Sequence, residues 1–238
     1  MSELVRVQKL IAQSGFASRR EAEKLIEQGK VFVNSKIVHL GDKATIDDEI
    51  KIGENVLNLT KNTNFKYFLL NKPKNTISTV KDPAGRKTVV DLINTDERIV
   101  PVGRLDRDTT GALLLTTDYA LVNKLTHPKY EVERVYRARI DSPLTLKEFN
   151  QMNSGIELDG KISHQVVDQV DTKSYIISLH VGSYHHIKRL FESLGHVVIS
   201  LKRISFANLT VEKMPEGTYR ELSTKEVKKL KLLVENKV

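Results

Sequence analysis

Ile99-Val100-Pro101-Val102-Gly103-Arg104-Leu105-Asp106-Arg107-Asp108-Thr109-Thr110-Gly111-Ala112-Leu113-Leu114-Leu115-Thr116 is the stretch that decides the fold. An apolar, β-prone run enters and another leaves. Between them lies a polar loop, Gly103 to Gly111, with two carboxylates and two arginines. By composition alone such a loop is a solvated turn with surface ion pairs. Asp106 and Asp108 could also suggest a metal site, but no Asp, Glu or His cluster joins them in sequence, so no metal is expected.

Further β-like runs flank this segment. Phe65 to Leu70 ends at the turn Asn71-Lys72-Pro73-Lys74, Tyr130 to Ile140 follows, then Tyr175 to Val181 and His196 to Val211. Ile187, Leu190, Phe191 and Leu194 mark a helix closed by Gly195. Ser223-Thr224-Lys225-Glu226 reads as a capping box before a last helix lined by Val227, Leu230 and Val234. Helices interspersed among strands with short gaps predict an α+β domain on a mostly antiparallel, mixed sheet. Gly103 and Gly111 lack the spacing of a phosphate-binding glycine loop, so no nucleotide cofactor is expected.

The amino-terminal part reads differently. Val7, Leu10 and Ile11 have helical spacing, stopped by Ser14-Gly15. Ser18-Arg19-Arg20-Glu21 is a capping box, and Ala22, Leu25 and Ile26 form the next apolar stripe up to Gly29. Lys30 to Asn34 and Lys36 to His39 predict two short strands joined at Asn34-Ser35. Arg19, Arg20 and Lys24 leave the stripe and crowd the start of the second helix, where phosphate is favoured. The polar stretch 58–64 predicts domains at 1–60 and 65–238 with a linker at 61–64.

The net charge is +8, yet residues 1–60 are neutral overall, so the whole excess lies in 61–238. That excess favours a polyanionic partner. With no cysteine, disulfides, thiol catalysis and thiolate metal sites are excluded, and a cytoplasmic location is expected. No apolar run approaches the ~20 residues of a membrane span.

Arg6, Lys9-Leu10-Ile11-Ala12, Gly15, Ala17-Ser18-Arg19-Arg20-Glu21-Ala22-Glu23, Ile26, Gly29, Val31 and Val33-Asn34, in that order, resemble the S-four-type RNA-binding domain. Ser35 stands where that domain usually has glycine. Val102 to Asp106 with Asp108 to Gly111 and Leu113 to Asp118 resemble the signature of the RsuA-type pseudouridine synthases, which modify ribosomal RNA. Phe68 to Pro73, His127 to Tyr136, and Lys188 to His196 with Leu201 to Ile204 resemble that family's other motifs. Ala112, Tyr119, Val181, Ser183 and His186 depart from its common pattern.

The resemblance implies isomerisation of uridine to pseudouridine at a specific site in ribosomal RNA, without a cofactor. It implies Asp106 as the catalytic aspartate, Lys188 as its basic partner and Tyr136 as the active-site aromatic. A neighbouring cation favours an ionised carboxylate, and an aromatic face can stack a base. Arg104, two residues before Asp106, is placed to fill the space of an extruded base or to hold phosphate. His185 and Arg189, with Arg19, Arg20 and Lys24, are further candidate RNA contacts; Arg189 also suits a surface acid. The expected partner is ribosomal RNA or a ribosome assembly intermediate, acted on by a monomer. Large-subunit RNA is favoured. The alternatives are the same reaction on small-subunit RNA, an inactive ribosome assembly factor, and a DNA-binding regulator, which would leave the later motifs unexplained.

Overall fold

The structure is a computed structural model that describes residues 2–57, 59 and 64–235. Two compact units, 1–65 and 66–238, account for its packing. Phe65, read above as the first residue of the second domain, falls with the first unit, two residues before the first strand of the second begins at Tyr67. Residues 61–63 of the expected linker lie outside the described residues.

In the first unit, helix α1 (Val7–Gln13) runs into Ser14, and Gly15 at φ 82° turns the chain away. Helix α2 (Arg19–Glu27) starts at Ser18, whose side chain accepts from Glu21 N–H while the Glu21 carboxylate accepts from Ser18 N–H. Four short antiparallel strands follow in the spatial order Lys36–Ile37, Val31–Val33, Ile50–Ile52, Asn55–Leu57. Val7, Leu10, Ile11, Ala22, Val31 and Ile50 are buried between helices and sheet. The turn at Asn34-Ser35 has positive φ at both residues, 47° and 66°. Serine therefore takes the conformation for which glycine is the usual choice. Asn34 secures the turn: its amide donates to Asp48, and its side-chain oxygen accepts from Glu49 N–H.

The second unit is built on one mixed sheet. Its strands lie in the order Val166–Asp171, Ser174–Leu179, Arg134–Ile140, Val198–Phe206, Thr110–Thr116, Tyr67–Lys72, Tyr219–Glu221. The Val198–Phe206 and Thr110–Thr116 strands pair in parallel, through Lys202 opposite Thr110 and Arg203 opposite Gly111. The other neighbours along this order pair antiparallel. A side chain at Gly111 would place its Cβ 2.1 Å from the Arg203 carbonyl oxygen, so only glycine, here at φ 109°, lets the two backbones meet. Helices α3 (Tyr119–Thr126), α4 (Leu146–Ser154), α5 (His186–Glu192) and α6 (Thr224–Glu235) complete the unit. Tyr136 packs against both of its apolar clusters.

Several expectations shift. The run expected as a strand from Tyr130 becomes one only at Arg134, because Pro128–Tyr130 forms a 3-10 turn and Glu131 is left-handed. Proline fixes its own φ and suits a turn start. Helix α4, the Val166–Asp171 strand and the Ile156–Leu158 hairpin with Lys161–Ser163 were not anticipated. Among the described residues, no helix is long and apolar enough to cross a membrane.

Candidate active site

The Gly103 to Gly111 loop is pinned from beneath by a buried lysine. Lys72 ends a strand that is buried at every position. Its ammonium donates toward the carbonyl oxygens of Thr109 (2.9 Å), Pro73 (3.0 Å), Asp106 (3.1 Å) and Arg107 (3.2 Å). Burial pushes this ammonium down to about 8, with the charges of Asp108 and Asp106 opposing. On the other flank, the Ser78 hydroxyl donates to Leu105 O (2.8 Å) and accepts from Leu105 N–H (3.1 Å). The backbone around Asp106 is thus fixed from two strands' worth of chain away. Asp108, by contrast, is exposed and pairs with Arg107.

The Asp106 carboxylate lies between two basic side chains. Lys188 Nζ is 3.5 Å from Oδ2 and His185 Nε2 is 3.5 Å from Oδ1. All three side chains are about one-third exposed, at 31%, 33% and 36% for Asp106, Lys188 and His185. Ile187, Leu190 and Phe191 bury one face of α5, which leaves Lys188 on the flank toward the aspartate. His185, expected as an RNA contact, lines the cleft and reaches Asp106. Its backbone is left-handed at φ 51°, and the ring of Tyr184 stacks on its own at 3.8 Å. His186 is held at both ring nitrogens, Nδ1 to the Ser183 hydroxyl (3.0 Å) and Nε2 to that of Ser163 (2.8 Å). Burial lowers its pKa. Arg189 faces away and makes a bidentate pair with Asp159 at 2.8 and 2.6 Å, so its charge meets a surface acid.

Asp106 opens into a cleft of about 400 Å³, lined by Arg104, Asp106, Tyr136, His185 and Arg203 among others. Lys188 touches the carboxylate without lining the cleft. Tyr136 is half-buried and forms a wall, so its packing role and its place in the site coincide. Arg104 is exposed at the rim. Two arginines that were not anticipated line the interior. Arg134 donates to His180 O (3.1 Å), and burial lowers its pKa, with Arg203 pushing the same way. Arg203 is 2% exposed, donates through Nε to Ala112 O (2.7 Å) and lies over the Phe206 ring at 5.0 Å. Lys72 and Arg203 each stand as a charged residue inside a β-prone apolar run and within a stretch that resembles a family motif, but neither signal gave them a role in the site. Among the described residues, no group of three or more His, Asp or Glu side chains is disposed to hold a metal.

In the first unit, Arg19 shares a shallow hollow of about 300 Å³ with Arg6, Lys9 and Lys43, which Glu3 and Glu23 also line. Arg20 and Lys24 are exposed on α2 outside it.

Comparison with known proteins covers both units. Residues 66–193 match the model of the RNA pseudouridylate synthase family, and residues 5–50 match that of the S4 domain. The ribosomal large subunit pseudouridine synthase B of Bacillus subtilis (strain 168) is 41% identical over 240 residues, spanning 97% of each chain. The dual-specificity RNA pseudouridine synthase RluF of Escherichia coli (strain K12) is 33% identical over 98% of this chain and 80% of its own. A crystal structure of a pseudouridylate synthase superposes with a TM-score of 0.70 at 30% identity, covering 95% of this chain and 99% of that one.

Proposed function

The chain belongs to the RNA pseudouridylate synthase family and carries an amino-terminal S4 domain, and from that premise we propose that it converts one uridine of large-subunit ribosomal RNA to pseudouridine, using Asp106. The observation that carries the assignment of the site is the Asp106 carboxylate, set between Lys188 and His185 at a cleft walled by Tyr136. The choice of large-subunit RNA rests on the end-to-end likeness to the Bacillus subtilis enzyme.

The chemistry follows from the arrangement. A stacked uridine hides its glycosidic bond, so the base must leave the helix and enter the cleft. Tyr136 offers its ring to the uracil face, a contact worth roughly 1–3 kcal/mol. Arg104, at the rim, takes the place of the departed base or holds a neighbouring phosphate. The bond from N1 to ribose C1′ breaks, the base turns, and C5 bonds to C1′. The proton lost from C5 is balanced by one gained at N1. Asp106 serves the sugar as nucleophile or as base, and both roles use the carboxylate. Lys188 and His185 hold that carboxylate in place. Arg19, Arg20 and Lys24 of the S4 domain grip phosphates outside the target nucleotide, which adds affinity without touching the reacting atoms.

The test is a pseudouridine map of ribosomal RNA from a strain lacking this protein. One large-subunit pseudouridine should vanish, return with the wild-type gene, and stay absent with Asp106→Asn, a near-isosteric change that removes the charge. A loss confined to small-subunit RNA would overturn the choice of target. Full rescue by Asp106→Asn, with deamidation excluded, would overturn the assignment of the aspartate.

A further inference from the structure

Arg203 is the charged side chain in the cleft whose chemistry remains unused. One of its three guanidinium nitrogens, Nε, is satisfied by Ala112 O, whereas Nη2 is buried with no hydrogen-bond partner. A buried unpaired donor is costly, and more so on a charged group. Arg134 lies near enough for the two positive charges to oppose each other. The cleft wall therefore holds two arginine charges in a poorly solvated place, while its carboxylate, Asp106, is engaged by Lys188 and His185.

The position of Arg203 is set by the sheet. Arg203 is the residue directly opposite Tyr136 on the neighbouring antiparallel strand. Val135 faces Ser205 and Tyr136 faces Arg203, so Ile204 is the extra residue of a bulge. Bulges of this kind re-aim side chains beside functional sites. Directly opposed side chains stand on one face of a sheet, about 4.5–5.5 Å apart at Cβ. Arg134, two residues from Tyr136 on the same strand, shares that face. A base stacked on Tyr136 thus presents its edge to Arg203. At 2% exposure Arg203 is too deep for a phosphodiester, which carries a sugar on either side.

We propose that Arg203, seconded by Arg134, binds the carbonyl edge of the flipped uracil and stabilises the negative charge the base acquires when its glycosidic bond breaks. The inference rests on the proposed pseudouridine synthase activity. When the N1–C1′ bond breaks, its electron pair goes to the base, which becomes uracilate with charge on N1 and the two carbonyl oxygens. Asp106 balances the sugar, by bonding to C1′ or by taking a proton from C2′. C5 then bonds to C1′ as the Asp106 carboxylate leaves that carbon or, on the second route, as Asp106 returns its proton to C2′; the C5 proton leaves, and N1 is protonated. Arg203 is present while the charge exists and needs no reorganisation to meet it, which is how a preorganised donor lowers a barrier.

The experiment compares Arg203→Met with wild type in single turnovers at saturating RNA, on target RNA carrying uridine or 5-fluorouridine. Fluorine stabilises the departing anion by itself. Arg203→Met should lose about 100-fold on uridine, the loss typical of removing one such donor, but only about 10-fold on 5-fluorouridine, read as cleavage of the N1–C1′ bond. Equal losses on the two substrates, or a loss cured by more RNA, would mean a packing or phosphate role and would overturn the proposal. If Arg203→Met does not fold, the wild-type protein gives the answer. Barbiturate, a pyrimidine that is anionic at neutral pH, should then inhibit at least about 10-fold more strongly than neutral uracil, and equal inhibition would overturn the proposal. A wild-type protein inactive on uridine would instead count against the parent function.

Discussion

The two units hold their positive charges in opposite ways. In the first, Arg19, Arg20 and Lys24 stand exposed on α2 while Ala22 and Ile26 carry the packing. In the second, Lys72 and Arg203 are 0% and 2% exposed and are fixed by backbone carbonyls of other strands and loops. An exposed cation acts through its field, and its share adds to that of its neighbours. A buried one acts through position, and its loss leaves several partners unsatisfied at once. Damage by single substitutions should therefore be steep in the cleft and shallow on the S4 domain.

The steepest expected break is Lys72→Met. It strands the carbonyls that hold the Asp106 loop and should cost about 2 kcal/mol of stability. It should also cost about 100-fold in turnover, since a reacting group displaced by about 1 Å loses that much. Denaturant melts and single-turnover rates measure the two losses. Wild-type turnover in this variant would show that the loop holds itself. The lysine also leaves a pH signature. Its folded pKa of about 8 lies below the ordinary 10.5, so the unfolded chain binds more protons between those values. Wild-type stability should then rise relative to Lys72→Met as pH climbs from about 8 to about 10.5.

Next, Lys188→Met should slow the single-turnover rate at saturating RNA about 10-fold or more, the scale of a lost charge-assisted contact. Arg189→Met should stay within about 3-fold, because its partner is the exposed Asp159. The reverse ranking would mean the wrong member of Lys188-Arg189 has been joined to Asp106. Smaller still, replacing both Arg19 and Arg20 by Gln should leave the saturated rate unchanged and flatten the salt dependence of RNA affinity by about 1.5 in log–log slope. An unchanged slope would remove those two residues from the phosphate contacts.

The mildest effect belongs to Glu226. The Arg220 guanidinium beside it holds its carboxyl at about 2, against an ordinary 4.5, and Ser223 N–H also donates to it. This contribution is complete above pH 4.5 and is lost as pH falls toward 2. In Glu226→Gln the acid-unfolding curve should lose about 1 kcal/mol or less over that range, since the Arg220 side chain is 40% exposed and solvent screens the pair.

What could be read from the chain followed the range of the interactions. The capping box at Ser18 and the stop at Gly15 are local, and they appear where the pattern placed them. The box at Thr145, with Glu148 three residues on, is equally local and marks the start of α4 as plainly as Ser18 marks that of α2. The loop around Asp106 was singled out by pattern, and Lys188 and Tyr136 by resemblance. Lys72 and Arg203 were opaque for a physical reason. Their acceptors lie 37 residues away at Thr109 and 91 away at Ala112, so their burial exists only in the assembled sheet. His185 was opaque for another: a left-handed residue sends its ring back to Asp106, and nothing in the neighbouring letters announces that.

The crossing of Gly111 and Arg203 also sets a timetable. Residues far apart along the chain must meet there, and the entropy of closing such a loop has to be met before the contact gives anything back. During synthesis the Asp106 loop, Ser78 and Lys72 emerge early and can settle together. The wall bearing Tyr136 can pair first with residues 174–179, but it gains its second neighbour, which carries Arg203, only when residues 198–206 have left the ribosome. A nascent chain that stops short of that strand holds a finished aspartate loop and no chamber around it. The reaction space is thus among the last parts of the molecule to come into being.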